Sequence, residues 1–460
     1  MKRKQRVKRK TAPKVKHVKK ISPFIAISLI LISLFVISAT TYKIVEVVLV
    51  NNHSNTFPKL EIFLSEVPIE QINTNDKNLK YPNNTIVLTT NDNSTNYKDV
   101  EIKGRGNSTW AQLKRPYQIK FSEKTGLFGN QEAKKWILLA DYFDNTHLRN
   151  ATAFYLERLL ETSYPISGEF AEVYIDNNYY GLYYVTEKVE IEKNRVNLTD
   201  PYSIIVELDN IHNSNKGCAA YTNNNSCLTI HDTLNADNSD TAIAVFTAKF
   251  KQLENAIAKK DYRTIANLID VDSFAKYFLL NEFINNPDAY STSFFMYQNG
   301  DEDKIHAGPG WDFDLTLGSR GWIEKGIDQD VFLSPSGTMA LKNYLTDEVP
   351  HSKTVSTIIY DLMDIPEFAV KVKEIYRETL SGKSEELLEY IRSQAEYIKP
   401  AALRDQERWK FKTNFDEEVD YLIDWVAKRF SHFEQTYGVS TNQEISSNPA
   451  PESPQPSLEL

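Results

Sequence analysis

The chain has 460 residues, with 53 Lys and Arg against 62 Asp and Glu, a formal charge of −9. Eleven of the basic residues fall among the first twenty, so the remainder stands at −20, which argues against nucleic acid or anionic polymers as its partner. Only two cysteines occur, with no histidine cluster nearby, too few ligands for a metal centre.

Residues 1–20 contain no acid and precede an uncharged stretch, 21–42, whose heart at 24–39 is almost entirely Ile, Leu, Val, Phe, Ala and Ser. About twenty apolar residues cross a bilayer and a basic flank stays in the cytoplasm. Residues 1–20 are therefore expected to be a cytoplasmic segment and 21–42 a transmembrane signal anchor. A cleaved signal peptide is the competing reading, with Ser38-Ala39-Thr40 the nearest approach to a cleavage site. Either way the rest faces outwards, so a single-pass protein of the cell membrane with an extracellular C-terminal domain is expected. A short stalk at 43–57 leads to a folded domain expected over 58–438.

Leu60, Ile62 and Leu64 alternate as in a half-buried strand, and further strands are read at 86–88 and 100–102. The turn Gly104-Arg105-Gly106-Asn107-Ser108 follows; it lacks the Gly-Lys-Ser/Thr of a Walker loop. Beyond it, Tyr117, Ile119 and Phe121 share one face of a strand and Gln118 and Lys120 the other. Lys120, beside a Gly-rich turn, is a candidate for a nucleotide phosphate, against the plainer reading of a solvated strand lysine. A buried strand at 135–140 precedes the capping cluster Asp144-Asn145-Thr146 and a helix expected at 147–161. Arg149 in its first turn opposes the helix dipole, which suggests a specific carboxylate or phosphate partner. Strands return at 171–175, 181–186 and 204–209. Cys218 and Cys227, outside the cytoplasm, are expected to close a short loop as a disulfide.

The most informative stretch lies between 272 and 318. Asp272-Ser273 are expected to cap a helix over 274–280, followed by an acidic loop, Asn281-Glu282-Phe283-Ile284-Asn285-Asn286-Pro287-Asp288. A hairpin comes next: strand 291–298, turn Asn299-Gly300, return 304–307. Then comes Trp311-Asp312-Phe313-Asp314. This order brings two carboxylate groups to one end of the hairpin, an arrangement suited to phosphoryl transfer, where one carboxylate orients the attacking hydroxyl and the other holds magnesium. In an extended segment Asp312 and Asp314 point to one side and can share a hard cation. The plainer reading is of loop carboxylates at strand ends. After Gly318 the chain reads as helical at 353–363, 366–380, 384–398 and 415–437, with a loop at 333–337, and 439–460 reads as a disordered tail.

Taken in order, the Gly104–Ser108 turn, Lys114-Arg115-Pro116-Tyr117, Trp136-Ile137-Leu138-Leu139-Ala140, Leu148-Arg149-Asn150, Tyr180-Gly181-Leu182-Tyr183, Glu207-Leu208-Asp209, Asn281-Glu282, Asp288 and Trp311-Asp312-Phe313-Asp314 resemble the spore-coat-protein-H (CotH) kinase family. The resemblance implies an α+β, atypical protein-kinase-like fold with a β-rich N-terminal part and a helical C-terminal part. It implies ATP and Mg²⁺ (or Mn²⁺) as cofactors and Ser or Thr of surface or secreted proteins as acceptors, with Asp288 the catalytic aspartate and Asp312 a metal ligand. Asp314 is expected to assist Asp312. Protein kinases place an Asn five residues after the catalytic Asp; Ser293 stands there, so Glu282 or Asn285 is expected to help with metal. The family often carries a Trp shortly before Trp-Asp-x-Asp, whereas 304–307 hold no Phe, Tyr or Trp, which leaves Ile305 or Tyr142 to cover adenine. The alternative is a non-catalytic surface protein that keeps the fold for adhesion or assembly.

Overall fold

The computed structural model describes residues 57–91, 93–209, 217–321 and 358–438. The basic segment, the apolar span, the stalk before Phe57, the loop at 333–337 and the tail at 439–460 lie outside the described residues. Among the described residues no helix is long and apolar enough to cross a membrane.

Alternating burial in the first strands marks a sheet with one face turned into a core. The strands β1 (Lys59–Phe63), β2 (Tyr81–Thr90), β3 (Asn93–Gly104), β4 (Tyr117–Thr125), β5 (Ala133–Leu139), β6 (Gly168–Ile175) and β7 (Asn178–Glu187) close into a barrel in the order β1-β2-β3-β4-β5-β7-β6. Neighbouring strands run antiparallel except at the closure, where β1 pairs in parallel with β6, Leu60 opposite Val173. The inward side chains, among them Leu60, Ile62, Ile102, Ile119, Trp136, Leu138 and Tyr183, fill the interior. As expected, Tyr117, Ile119 and Phe121 of β4 belong to that core. A short helix, α1 (Ile69–Thr74), lies between β1 and β2.

The second sheet has the order β12-β11-β8-β10-β9, from β8 (Ile204–Leu208), β9 (Ala220–Tyr221), β10 (Cys227–Thr233), β11 (Phe294–Gln298) and β12 (His306–Ala307). The expected hairpin is β11–β12, with Tyr297 opposite His306. Its first strand starts at Phe294 rather than Ser291, because Tyr290 and Ser293 take positive φ (63° and 53°) and turn the chain. A disulfide joins Cys218 to Cys227 beside β9 and β10.

Helices supply the rest: α2 (Arg149–Leu159), α3 (Ser239–Ala258), α4 (Tyr262–Leu268), α5 (Val271–Ile284), α6 (Ile358–Met363), α7 (Pro366–Thr379), α8 (Ser384–Trp409) and α9 (Phe415–Tyr437). The fold is thus α+β, β-rich first and helical last. Two expectations need correction. α5 is capped by Asp270, whose side chain accepts from Ser273 N at 2.7 Å, and it continues through Asn281 and Glu282 until Asn285 stops it in the left-handed region (φ 51°). The first half of the stretch expected as an acidic loop, Asn281 to Ile284, is therefore the last turn of a helix. α8 runs past Ile398 and through Pro400 to Trp409, because its later residues Ala401, Ala402 and Asp405 are buried by packing.

Candidate functional site

A cleft of about 360 Å³ opens where the barrel rim faces the second sheet. The barrel contributes residues 104–109 at and after the end of β3, Ile137, Leu139, Ala140 and Asp141 at the end of β5, and Lys188 and Val189 after β7. Opposite them stand Glu207 of β8, His231 of β10, Ser293 and Phe295 beside and in β11, and Asp288, Trp311, Asp312, Asp314 and Leu315. The structure thus brings Asp288, Asp312 and Asp314, predicted from the sequence, into one cavity.

Asp288 owes its place to the end of α5. Asn281 Nδ2 donates to Tyr277 O, Asn286 Nδ2 donates to Asn281 Oδ1, and Asn286 Oδ1 accepts from the Asp288 amide at 3.0 Å. Burial, then the charges of Asp312 and Asp209, push the Asp288 carboxyl up to about 7. The segment 310–314 hangs from α2: Gly310 N donates to Glu157 Oε1 and Phe313 N to Asn150 Oδ1, both at 2.9 Å. It is not the extended run expected. Asp312 is left-handed (φ 71°) and exposed, while Asp314 is buried in the turn that follows. Burial first, then Asp312 and other carboxylates, raises the Asp314 carboxyl well above its usual range.

The cations facing these carboxylates are not those expected. Lys103, Arg105 and Lys188 line the cleft, with Lys77 at its edge bonded to Gly106 O and Asn107 Oδ1. Arg105 packs over Trp311 at 4.8 Å; burial lowers its guanidinium to about 10, while Asp312 and Glu207 favour the charged form. Burial likewise lowers Lys103 and Lys188. The signal available in the sequence was the pair of glycines around Arg105. A Cβ on Gly104 would lie 2.3 Å from Trp110, and Gly106 needs φ +83°, so the backbone is shaped to turn Arg105 inward.

Six predicted residues lie elsewhere. Lys120 is two residues further down β4 than the cleft-lining Gln118, about 7 Å along the strand, and stands between Glu101 and Lys135 in the sheet. Arg149 is fully buried, paired with Asp144 and donating from Nε to Thr316 O at 2.9 Å, so its partner is a carboxylate of the scaffold. Tyr142 packs edge-on against Phe143 and Phe411, both at 5.3 Å. Glu282 is buried at the end of α5, where its charge acts on Tyr290 and Tyr437 and is not among those that shift Asp288. Ile305 is fully buried and bridges to Ile269, and neither it nor Asn285 lines the cleft.

Among the described residues no three His, Cys, Asp or Glu side chains form a metal cage on their own. Mg²⁺ takes one or two carboxylates and completes its shell with water and phosphate oxygens. Asp312 and Asp314, whose repulsion raises the latter, are suited to such an ion. No curated protein matches the chain. A family model described as CotH kinase protein does match it, over residues 102–433 of 460, from the end of β3 through the cleft and into α9, and on that ground the chain belongs to the CotH kinase family.

Proposed function

We propose that the protein is an atypical, protein-kinase-like phosphotransferase that moves the ATP γ-phosphoryl group to a Ser or Thr hydroxyl of a surface or secreted protein. In this reading residues 21–42 hold it in the cell membrane with the kinase domain outside. The observation that carries the reading is the opposition within one cleft of Asp288, Asp312 and Asp314 to Lys103, Arg105 and Lys188. A polyphosphate needs the cations, and a phosphoryl acceptor needs a carboxylate in line with it.

The chain's own residues divide the work. The loop 104–109 with Lys103, Arg105 and Lys188 binds and orients phosphate oxygens. Ile137, Leu139, Val189 and Phe295 provide an apolar wall for the base. Asp288 accepts the hydroxyl proton at its carboxylate, and a carboxyl held near 7 is well matched to that exchange. Asp312, with Asp314 beside it, would hold Mg²⁺ or Mn²⁺, which when bound neutralises charge on the phosphate oxygens. Family membership supports a kinase-like activity.

A second reading, a non-catalytic adhesion or assembly module, is favoured by one observation: Tyr142 and Ile305, the two residues expected to cover adenine, both lie outside the cleft. The two readings separate in an assay of the full-length protein with γ-labelled ATP and Mg²⁺ or Mn²⁺. Transfer that falls by about 10²–10⁴-fold in Asp288→Asn is the expected result. Absence of both transfer and nucleotide binding would overturn the kinase reading and favour the module.

A further inference from the structure

A smaller pocket of about 80 Å³ is lined in part by Ala307, Gly308 and Pro309, just before the segment that carries Asp312. Its walls come from the end of α2, the chain after it, the start of α5 and the 307–309 segment. That volume is worth two or three waters of liquid. Glu157 is buried in its wall at 1% exposure, with Oε1 taken by the Gly310 amide and Oε2 without a hydrogen-bond partner among the described residues. Thr162 lines the same pocket, its amide donating to Glu157 O, and its hydroxyl is also buried without a partner. A buried polar atom left unpaired costs about 1–3 kcal/mol, so two that converge on one cavity call for an occupant.

The chemistry of the walls narrows that occupant. Glu157, Asp270 and Asp272 bring negative charge against the single cation Lys276, which already donates to Glu161 O at 2.7 Å. Asp270 caps α5 and Asp272 pairs with Lys371 at 3.1 Å, so Glu157 is the carboxyl left to receive a ligand. An anion would face these carboxylates with only Lys276 in the wall against them, and a divalent ion has too few ligands. Three tyrosines, Tyr164, Tyr277 and Tyr297, stand in the remaining wall, a setting that favours an organic cation.

We propose that this pocket binds a small primary alkylammonium ion, with its N–H groups donated to Glu157 Oε2 and Thr162 Oγ1 and its short alkyl part against the tyrosines. Burial holds the Glu157 carboxyl up to about 7, against the opposing pull of the Gly310 amide, Arg158 and, least, the Ile166 amide. A cation bound beside that carboxyl adds to the counter-charge that Arg158 already brings to it. Glu157 bonds the amide two residues before Asp312, so occupancy also reaches the candidate active cleft through the chain.

The inference is independent of phosphoryl transfer and is tested without nucleotide. Calorimetry of the full-length protein with ethylammonium chloride should show saturable binding with a Kd of about 1 mM. Glu157→Gln keeps an oxygen for the Gly310 amide but removes the charge, and should weaken binding about tenfold or more. Thr162→Val, which leaves the Gly310 link untouched, should weaken it several-fold and carries the test should Glu157→Gln fail to fold. Tetramethylammonium, equally charged but without N–H groups, should not bind. The proposal is overturned by no saturable binding of ethylammonium, by wild-type affinity in the folded variants, or by equal binding of tetramethylammonium; the last two would mark a non-specific surface cation.

Discussion

Glu169 sits near the start of β6, its Oε1 accepting from the Phe170 amide at 2.9 Å, and burial pushes its carboxyl up from 4.5 to about 7. The protonated form is the one the fold prefers. The unfolded chain gives up this proton near 4.5 and the folded chain keeps it to about 7, so stability from this group falls as pH rises through that window. Glu169→Gln retains the acceptor and cannot ionise. Denaturant titration should find it more stable than the wild type by about 1–2 kcal/mol near pH 8 and no different near pH 4. The same dependence on surroundings explains which site residues could be read from the sequence. Asp288 and Asp312 stand out by their spacing around a hairpin. Arg105 and Lys188 look like any other surface cation until the barrel rim places them opposite those carboxylates.

At the scale of elements, α8 and β7 are joined by a buried polar contact. Asp405 Oδ1 meets Lys114 Nζ at 2.9 Å and accepts from the Leu182 amide at 2.7 Å, while Oδ2 lies 3.4 Å from His147 Nε2. The helix approaches this closely only because residue 181 is glycine: a Cβ there would lie 2.4 Å from Asp405 Oδ1. Asp405→Ala leaves Lys114 buried without its counter-charge and should cost about 3–5 kcal/mol in urea unfolding, whereas the paired change Lys114→Met with Asp405→Leu should cost less. Strands β1, β4 and β7 are legible in the sequence because alternation of apolar residues is a local signal. α3 carries Phe246, Phe250, Leu253 and Ile257 at helical spacing, so it is legible in principle although absent from the predicted elements. The run of α5 through Glu282 is harder to read, since a helix that is apolar nearly all round has no polar face to mark where it ends.

Across the whole molecule the cleft is a shared surface, walled by the barrel on one side and by the second sheet with the 310–315 segment on the other. A nucleotide bound there would have no equivalent site in the unfolded chain. ATP with Mg²⁺ at a hundred times its Kd should therefore stabilise the protein by about 2.7 kcal/mol, seen as a raised Tm, and the rise should vanish in Asp312→Asn.

The sequence by itself determined the strands of the barrel's alternating pattern, the disulfide pair, the position of Asp288 and Asp312 around their hairpin, and the family. These depend on residues close together in the chain or on motifs in a fixed order. Only the tertiary structure decided that β1 returns to close the barrel against β6, and that β11 lies beside β8 across some ninety residues of chain. It also turned Glu282, Arg149 and Lys120 away from the cleft and brought Lys103, Arg105 and Lys188 into it. Which face of an element meets a distant partner depends on long-range packing, and local periodicity carries no record of that partner.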